Sequence, residues 1–142
     1  MEDVLTIHTD GGARGNPGPA AIGVVIETEG KILHQFGKTI GDTTNNVAEY
    51  TAVIEALTYL KELRGKRYEL RIHFLLDSKL VVEQLNGNYK IKDSKLRELS
   101  FKVRTLEQEV RGGITYSVIP REKNIQADLL VNQALDELEN RR

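Results

Sequence analysis

The chain contains no cysteine, which removes disulfide scaffolds, zinc–thiolate sites and thiol nucleophiles together. Imidazole is scarce: His8, His34 and His73 are the only histidines, and no two share a metal-ligand spacing such as i, i+4. Any metal chemistry therefore rests on carboxylates, which suit hard cations such as Mg²⁺ or Mn²⁺. No run of 18 apolar residues occurs, so no helix able to span a bilayer is expected. The acidic start Met1-Glu2-Asp3 passes straight into the apolar Val4-Leu5-Thr6-Ile7, without the basic region of a secretory signal, so the expected location is cytoplasmic. An excess of positive charge is missing too. The net charge is −1, which gives no global sign of nucleic-acid binding.

What is present is the profile of a globular domain: 142 residues, 39% hydrophobic and 29% charged, enough for one core without staples. There are no repeats, low-complexity tracts or linkers, so residues 1–142 are expected to form a single domain, with a monomer as the default. Charge is uneven locally. Between residues 88 and 104, Lys90, Lys92, Lys95, Arg97, Lys102 and Arg104 outnumber Asp93 and Glu98. A solvated helix face explains such a stretch unless something else points to a polyanion.

Residues 4–10 read as a strand closed by Gly11-Gly12, 20–28 as a second, and 32–40 as a third after a turn at Glu29-Gly30-Lys31. Val47, Tyr50, Ile54 and Leu57 recur at helical spacing and predict a helix over 46–64, stopped by Gly65. Residues 68–76 form an expected fourth strand whose Phe74-Leu75-Leu76 end suits burial on both faces. A short helix follows Asp77-Ser78. Leu96, Leu99, Val103, Leu106 and Val110, spaced 3, 4, 3, 4, predict a helix over 94–110, ended by Gly112-Gly113. A fifth strand over 114–119 and a helix over 124–140 complete an α/β pattern, predicting one mixed sheet with helical crossovers.

Four acids stand at element ends. Asp10 and Asp77 close strands one and four. If those strands are parallel neighbours, both carboxylates emerge at the carboxyl edge where ligand crevices form. Glu49 lies in the first turn of its helix and Asp128 early in the last one, on the face of Val131, Leu135 and Leu138. Each has an ordinary reading: Asp10 as a turn residue, Asp77 as a helix N-cap, Glu49 in an Asn46-x-x-Glu49 capping box, Asp128 as a favourable charge near a helix start. Together they describe another possibility. Four converging carboxylates would repel, whereas two divalent cations would cancel their charge and form the paired clamp used at phosphorus.

The run Thr9-Asp10-Gly11-Gly12-Ala13-Arg14-Gly15-Asn16-Pro17-Gly18-Pro19-Ala20 resembles the opening hairpin of ribonuclease H type 1. Thr44-Asn45-Asn46-Val47-Ala48-Glu49-Tyr50, Leu76-Asp77-Ser78-Lys79-Leu80-Val81, and Pro120-Arg121-Glu122-Lys123-Asn124 with Ala127-Asp128 resemble its later blocks, in family order and spacing across essentially the whole chain. The resemblance implies a ribonuclease H-like fold, a five-stranded mixed sheet of order 3-2-1-4-5 flanked by helices. It implies an endonuclease that hydrolyses the RNA strand of RNA–DNA hybrids, leaving 5′-phosphate and 3′-hydroxyl ends. Asp10, Glu49, Asp77 and Asp128 match the family's catalytic quartet, which holds two Mg²⁺ ions (Mn²⁺ as an alternative), with Asp10 shared by both. Asn16, Asn45 and Asn46 match positions along the hybrid's minor groove, where the 2′-hydroxyl separates RNA from DNA, and the substrate-binding glycines Gly11 and Gly12 would let backbone amides approach those hydroxyls closely.

The chain departs from the family at three places. Lys79 replaces a groove-contacting Gln, so substrate preference is expected to differ. Only residues 86–93 separate the second and third helices, too few for the basic protrusion of several relatives. Tyr89, Lys90 and Lys92 would substitute weakly. The loop before Asp128 has no His. Arg121 occupies the stretch, as in a bacterial and archaeal subgroup, and a permanently protonated Arg serves phosphate rather than proton transfer. Three other readings share the fold: a hybrid-binding module that does not cut, a transposase-like nuclease, and a fragment of a sugar-kinase-like ATPase.

Overall fold

A computed structural model describes residues 2–63, 69–110 and 112–141. The first three strands, β1 (Glu2–Ala13), β2 (Gly18–Thr28) and β3 (Lys31–Thr43), form an antiparallel meander. Glu29 and Gly30 both adopt positive φ, 53° and 76°, the two-residue hairpin turn whose twist matches the strands it joins. Then come α1 (Asn45–Leu63), β4 (Glu69–Leu76), α2 (Lys79–Leu85), α3 (Ser94–Glu109), β5 (Gly112–Val118) and α4 (Ile125–Asn140), with a turn of 3₁₀ helix at Arg121–Lys123 before α4. The sheet order is β3-β2-β1-β4-β5, with β4 parallel to both β1 and β5, as expected. The helix stop expected at Gly65 and the strand start expected at Tyr68 lie outside the described residues.

Several boundaries differ from expectation for local reasons. β1 does not end at Asp10; its ladder with β2 continues to Ala13 opposite Ala20, so Gly11-Gly12 are strand rather than turn. Gly112-Gly113 likewise open β5 beside Leu70 and Arg71. The stop of α3 is instead Val110, in extended conformation. Leu75 is half-buried while Phe74 and Leu76 are fully buried, because α4 packs across β1, β2 and β3 and leaves that end of β4 partly open.

The larger core fills one side of the sheet, where Ile7, Val24, Ile26, Ile72 and Phe74 meet α1 and α3. α1 is enclosed on nearly its whole circumference, with Ala48, Glu49, Tyr50, Ala52, Val53, Ile54, Ala56, Leu57 and Leu60 all buried. The predicted α3 stripe of Leu96, Leu99, Val103, Leu106 and Val110 is buried as a set. On the other side a smaller core joins Ala21 to Val131 and Leu135 of α4. The approach of α4 is close. A Cβ at Gly23 would stand 2.2 Å from the carbonyl oxygen of Ala127, so only glycine lets the helix rest there. Among the described residues no helix is long and apolar enough to cross a membrane.

Candidate active site

The parallel pairing of β1 and β4 runs to His8 opposite Leu75. Two residues further on stand Asp10, still within β1, and Asp77, just past the end of β4, so one sheet edge presents both carboxylates. Glu49 reaches the same place from α1. One carboxylate oxygen of each of Asp10, Glu49 and Asp77 lies within 4.8 Å of the others. Asp128 lines the same open cleft, of about 480 Å³, from α4 and stands close enough to Asp10 to act on its ionisation, although its carboxylate remains outside that trio.

For three of these acids the simpler role does not hold, whereas Asp128 does stand in the first turn of α4, where a carboxylate is favourable. α1 is capped by Thr44, whose Oγ1 accepts the N–H of Val47, not by an Asn46-x-x-Glu49 box. Glu49 is in the second turn rather than the first, and its Oε1 accepts the N–H of Gly11 across 2.5 Å. The cap of α2 is Ser78, which accepts from Val81, leaving Asp77 unused by its helix. Asp10 belongs to a strand, not a turn.

Burial pushes Asp10 from 3.8 to about 7, and the charges of Asp77 and Asp128 push the same way. Burial also lifts Glu49 well above the usual carboxylate range, helped by Asp10 and Asp77 and opposed by the Gly11 N–H. Among the described residues no ion pair joins Asp10, Glu49 or Asp77 to a side-chain cation. Crowded, desolvated and uncompensated carboxylates are the donor set that divalent, oxygen-preferring cations fit.

The remaining predicted residues divide. Gly11, Gly12, Asn45, Asn46 and Arg121 line the cleft with the acids. Asn45 does not cap its helix; its Oδ1 accepts the N–H of Ala13 at 2.8 Å, while its own N–H donates to Asn16 Oδ1 at 3.0 Å. Asn16, exposed and outside the cleft lining, thus ties the hairpin loop to the start of α1. Lys79, the first residue of α2, is exposed and stands off the cleft lining.

Sequence reasoning missed Arg14 and Asn132, which line the cleft, and gave no role to Asn124. Asn124 is 1% exposed and sits at the N-cap of α4 without capping it. Its Nδ2 donates to the carbonyl of Thr9 at 2.9 Å, and its own carbonyl accepts the N–H of Asp128 at 3.1 Å. One residue therefore links the strand position before Asp10 to Asp128. The i, i+4 spacing of Asp128 and Asn132 was a readable signal. The link from Asn124 to Thr9, across 115 positions, was not.

Comparison with known proteins agrees with this geometry. Residues 8–134 match the family model described as reverse transcriptase-like. The crystal structure of LC11-RNase H1 in complex with an RNA/DNA hybrid is 47% identical with a TM-score of 0.91, over 94% of this chain and 98% of that one; the protein was isolated from compost by a metagenomic approach. The N-terminal RNase H domain of a Mycobacterium tuberculosis protein is 39% identical with a TM-score of 0.86, over 97% of both chains. Ribonuclease HI of Halobacterium salinarum is 42% identical over 92% of this chain and 63% of its own length. The chain spans 35% of the length of a bifunctional M. tuberculosis relative to which it is 40% identical. With a family model spanning nearly all of it and a solved type 1 enzyme matching from end to end, the chain belongs to the reverse transcriptase-like family and, within it, to the type 1 ribonucleases H.

Proposed function

We propose that this chain is an endonuclease that hydrolyses the RNA strand of RNA–DNA hybrids, leaving 5′-phosphate and 3′-hydroxyl ends. The observation that carries the reading is the convergence of Asp10, Glu49 and Asp77 within 4.8 Å, with Asp128 on the same cleft. In this reading the four acids are the catalytic set and hold two Mg²⁺ ions, with Mn²⁺ as a substitute. When bound, such a pair supplies positive charge on both sides of the scissile phosphate.

The protein's own contribution is placement. β1 and β4 bring Asp10 and Asp77 to one edge through regular parallel pairing. The Gly11 N–H fixes the Glu49 carboxylate, and α4 brings Asp128 up to Asp10. Gly11, Gly12, Asn45 and Asn46 form the wall on which the sugar edge of the RNA strand rests, with small side chains and amides suited to 2′-hydroxyls. Asn16 supports that wall through Asn45. Arg121, exposed on the cleft lining, is a donor for phosphate, and Lys79 binds the flanking backbone further out. These are contacts to sugar and phosphate, so little base preference is expected. The reading treats residues 1–142 as one domain acting as a monomer in the cytoplasm.

The test is cleavage of end-labelled RNA–DNA hybrid, double-stranded RNA and double-stranded DNA, with Mg²⁺ or Mn²⁺ and with EDTA. Hybrid cleavage that EDTA abolishes and D10N eliminates in a folded protein is expected. Cleavage by D10N, or equal cutting of double-stranded DNA, would refute the proposal. Binding of the hybrid without cleavage under any divalent ion would identify a non-cutting module.

A further inference from the structure

Asp128 stands on the exposed side of α4, where a carboxylate has rotamer freedom that Asp10 and Glu49, both buried, lack. Its surroundings restrict it. Asn132, one helical turn later, donates from Nδ2 to the Asp128 carbonyl at 3.1 Å and to its carboxylate Oδ2 at 3.3 Å. On its other side Asn132 accepts, through Oδ1, a hydrogen bond from Arg14 Nη2 at 3.3 Å. Arginine only donates, so the amide oxygen must face Arg14 and the NH₂ must face Asp128. Arg14 is itself fixed by Asp136 at 2.7 Å and Glu139 at 2.7 Å, both further along the same helix.

We infer that Asn132, oriented by Arg14, is a positioning residue that holds the Asp128 carboxylate towards Asp10. The inference depends on the proposed reading of the four acids as the metal-holding set. The choice of a neutral amide has a physical reason. A lysine or arginine at 132 would orient Asp128 equally well but would neutralise the charge that a divalent cation requires, whereas an amide donor leaves it intact. The ion pairs of Arg14 are exposed and contribute little to stability by themselves; their effect is to fix a guanidinium plane. Arg14 is the residue immediately after β1, which carries Gly11 and Gly12, so the relay joins the cleft wall to the fourth acid.

The experiment compares wild type with N132A, R14A, the double variant and D10N. The readouts are kcat and KM on a fluorescent hybrid in Mn²⁺, Mn²⁺ affinity of the substrate-free protein by calorimetry, and melting temperature. N132A is expected to lower kcat about tenfold, the worth of one charge-assisted hydrogen bond, and to weaken Mn²⁺ binding with KM unchanged. Its melting temperature should hold, since alanine is the better helix former. R14A should act in the same direction and add nothing in the N132A background, as a relay requires. Wild-type kcat and Mn²⁺ affinity in N132A would overturn the inference, as would a rise in KM alone or effects that multiply in the double variant. Cleavage by D10N would instead remove the reading of the acids; an inactive D10N beside an unaffected N132A removes only the relay.

Discussion

The backbone N–H of Gly11 donates to Oε1 of Glu49 across 2.5 Å, although the two residues lie 38 positions apart. This contact needs α1 pressed against β1. A Cβ at Gly11 would stand 2.3 Å from the Ala48 carbonyl carbon and 2.5 Å from the Glu49 nitrogen. Gly11→Ala is therefore expected to destabilise by about 2 kcal/mol or more, since rigid backbone on both sides cannot yield. Gly12→Ala meets only a Val131 methyl at 3.7 Å and should cost less than about 1 kcal/mol. Urea unfolding of both variants measures the contrast; equal losses would show that α1 yields easily.

The raised Asp10 predicts a pH effect with a definite sign. Below pH 3.8 the carboxyl is protonated in both folded and unfolded chains and nothing is lost. Between 3.8 and about 7 the unfolded chain ionises while the folded one resists, so stability falls as pH rises through that window. D10N removes the group. The melting temperature of metal-free D10N should match wild type near pH 4 and exceed it at pH 8. Saturating Mg²⁺ should reverse the order at pH 8, because only wild type binds it tightly. A pH-independent difference would contradict the burial argument.

Asn124 offers a second structural test. Asn124→Ala leaves the Thr9 carbonyl without its buried donor, a loss of about 1–3 kcal/mol. It also frees the start of α4 relative to the Asp10 strand end, so kcat should fall more than KM rises. Thermal melts combined with steady-state kinetics separate the two effects. A stability loss with wild-type kcat would restrict Asn124 to packing.

Lys90 and Lys92 are exposed between α2 and α3, and under the proposed function they are candidates for contact with hybrid phosphates. Replacing both with Gln should raise KM at low salt and shallow the slope of log KM against log salt by about 2, one per lost phosphate contact. Arg104, by contrast, is engaged by Glu107 through both carboxylate oxygens and by the Leu85 carbonyl. It is structural despite belonging to the same basic stretch. An unchanged salt slope in the double variant would make the two lysines a solvated surface.

The sequence by itself determined the elements, their order and the candidate acids. Alternation, helical spacing and turn chemistry act locally, and a 3-4-3-4 stripe such as Leu96 to Val110 has only one way to be buried. It also brought the resemblance to type 1 ribonuclease H within reach, since motif residues stand in linear order. Only the tertiary structure decided that the acids meet. Asp77, Glu49 and Asp10 all had credible local roles as cap, capping box or turn, and those roles fell when Ser78, Thr44 and the continuing β1 ladder filled them. The long-range links of Asn124 to Thr9 and of Arg14 to Asn132 were equally hidden. They are set by how closely α4 settles on the sheet, and that distance is governed by glycines such as Gly23, in a strand whose own periodicity says nothing of the helix above it.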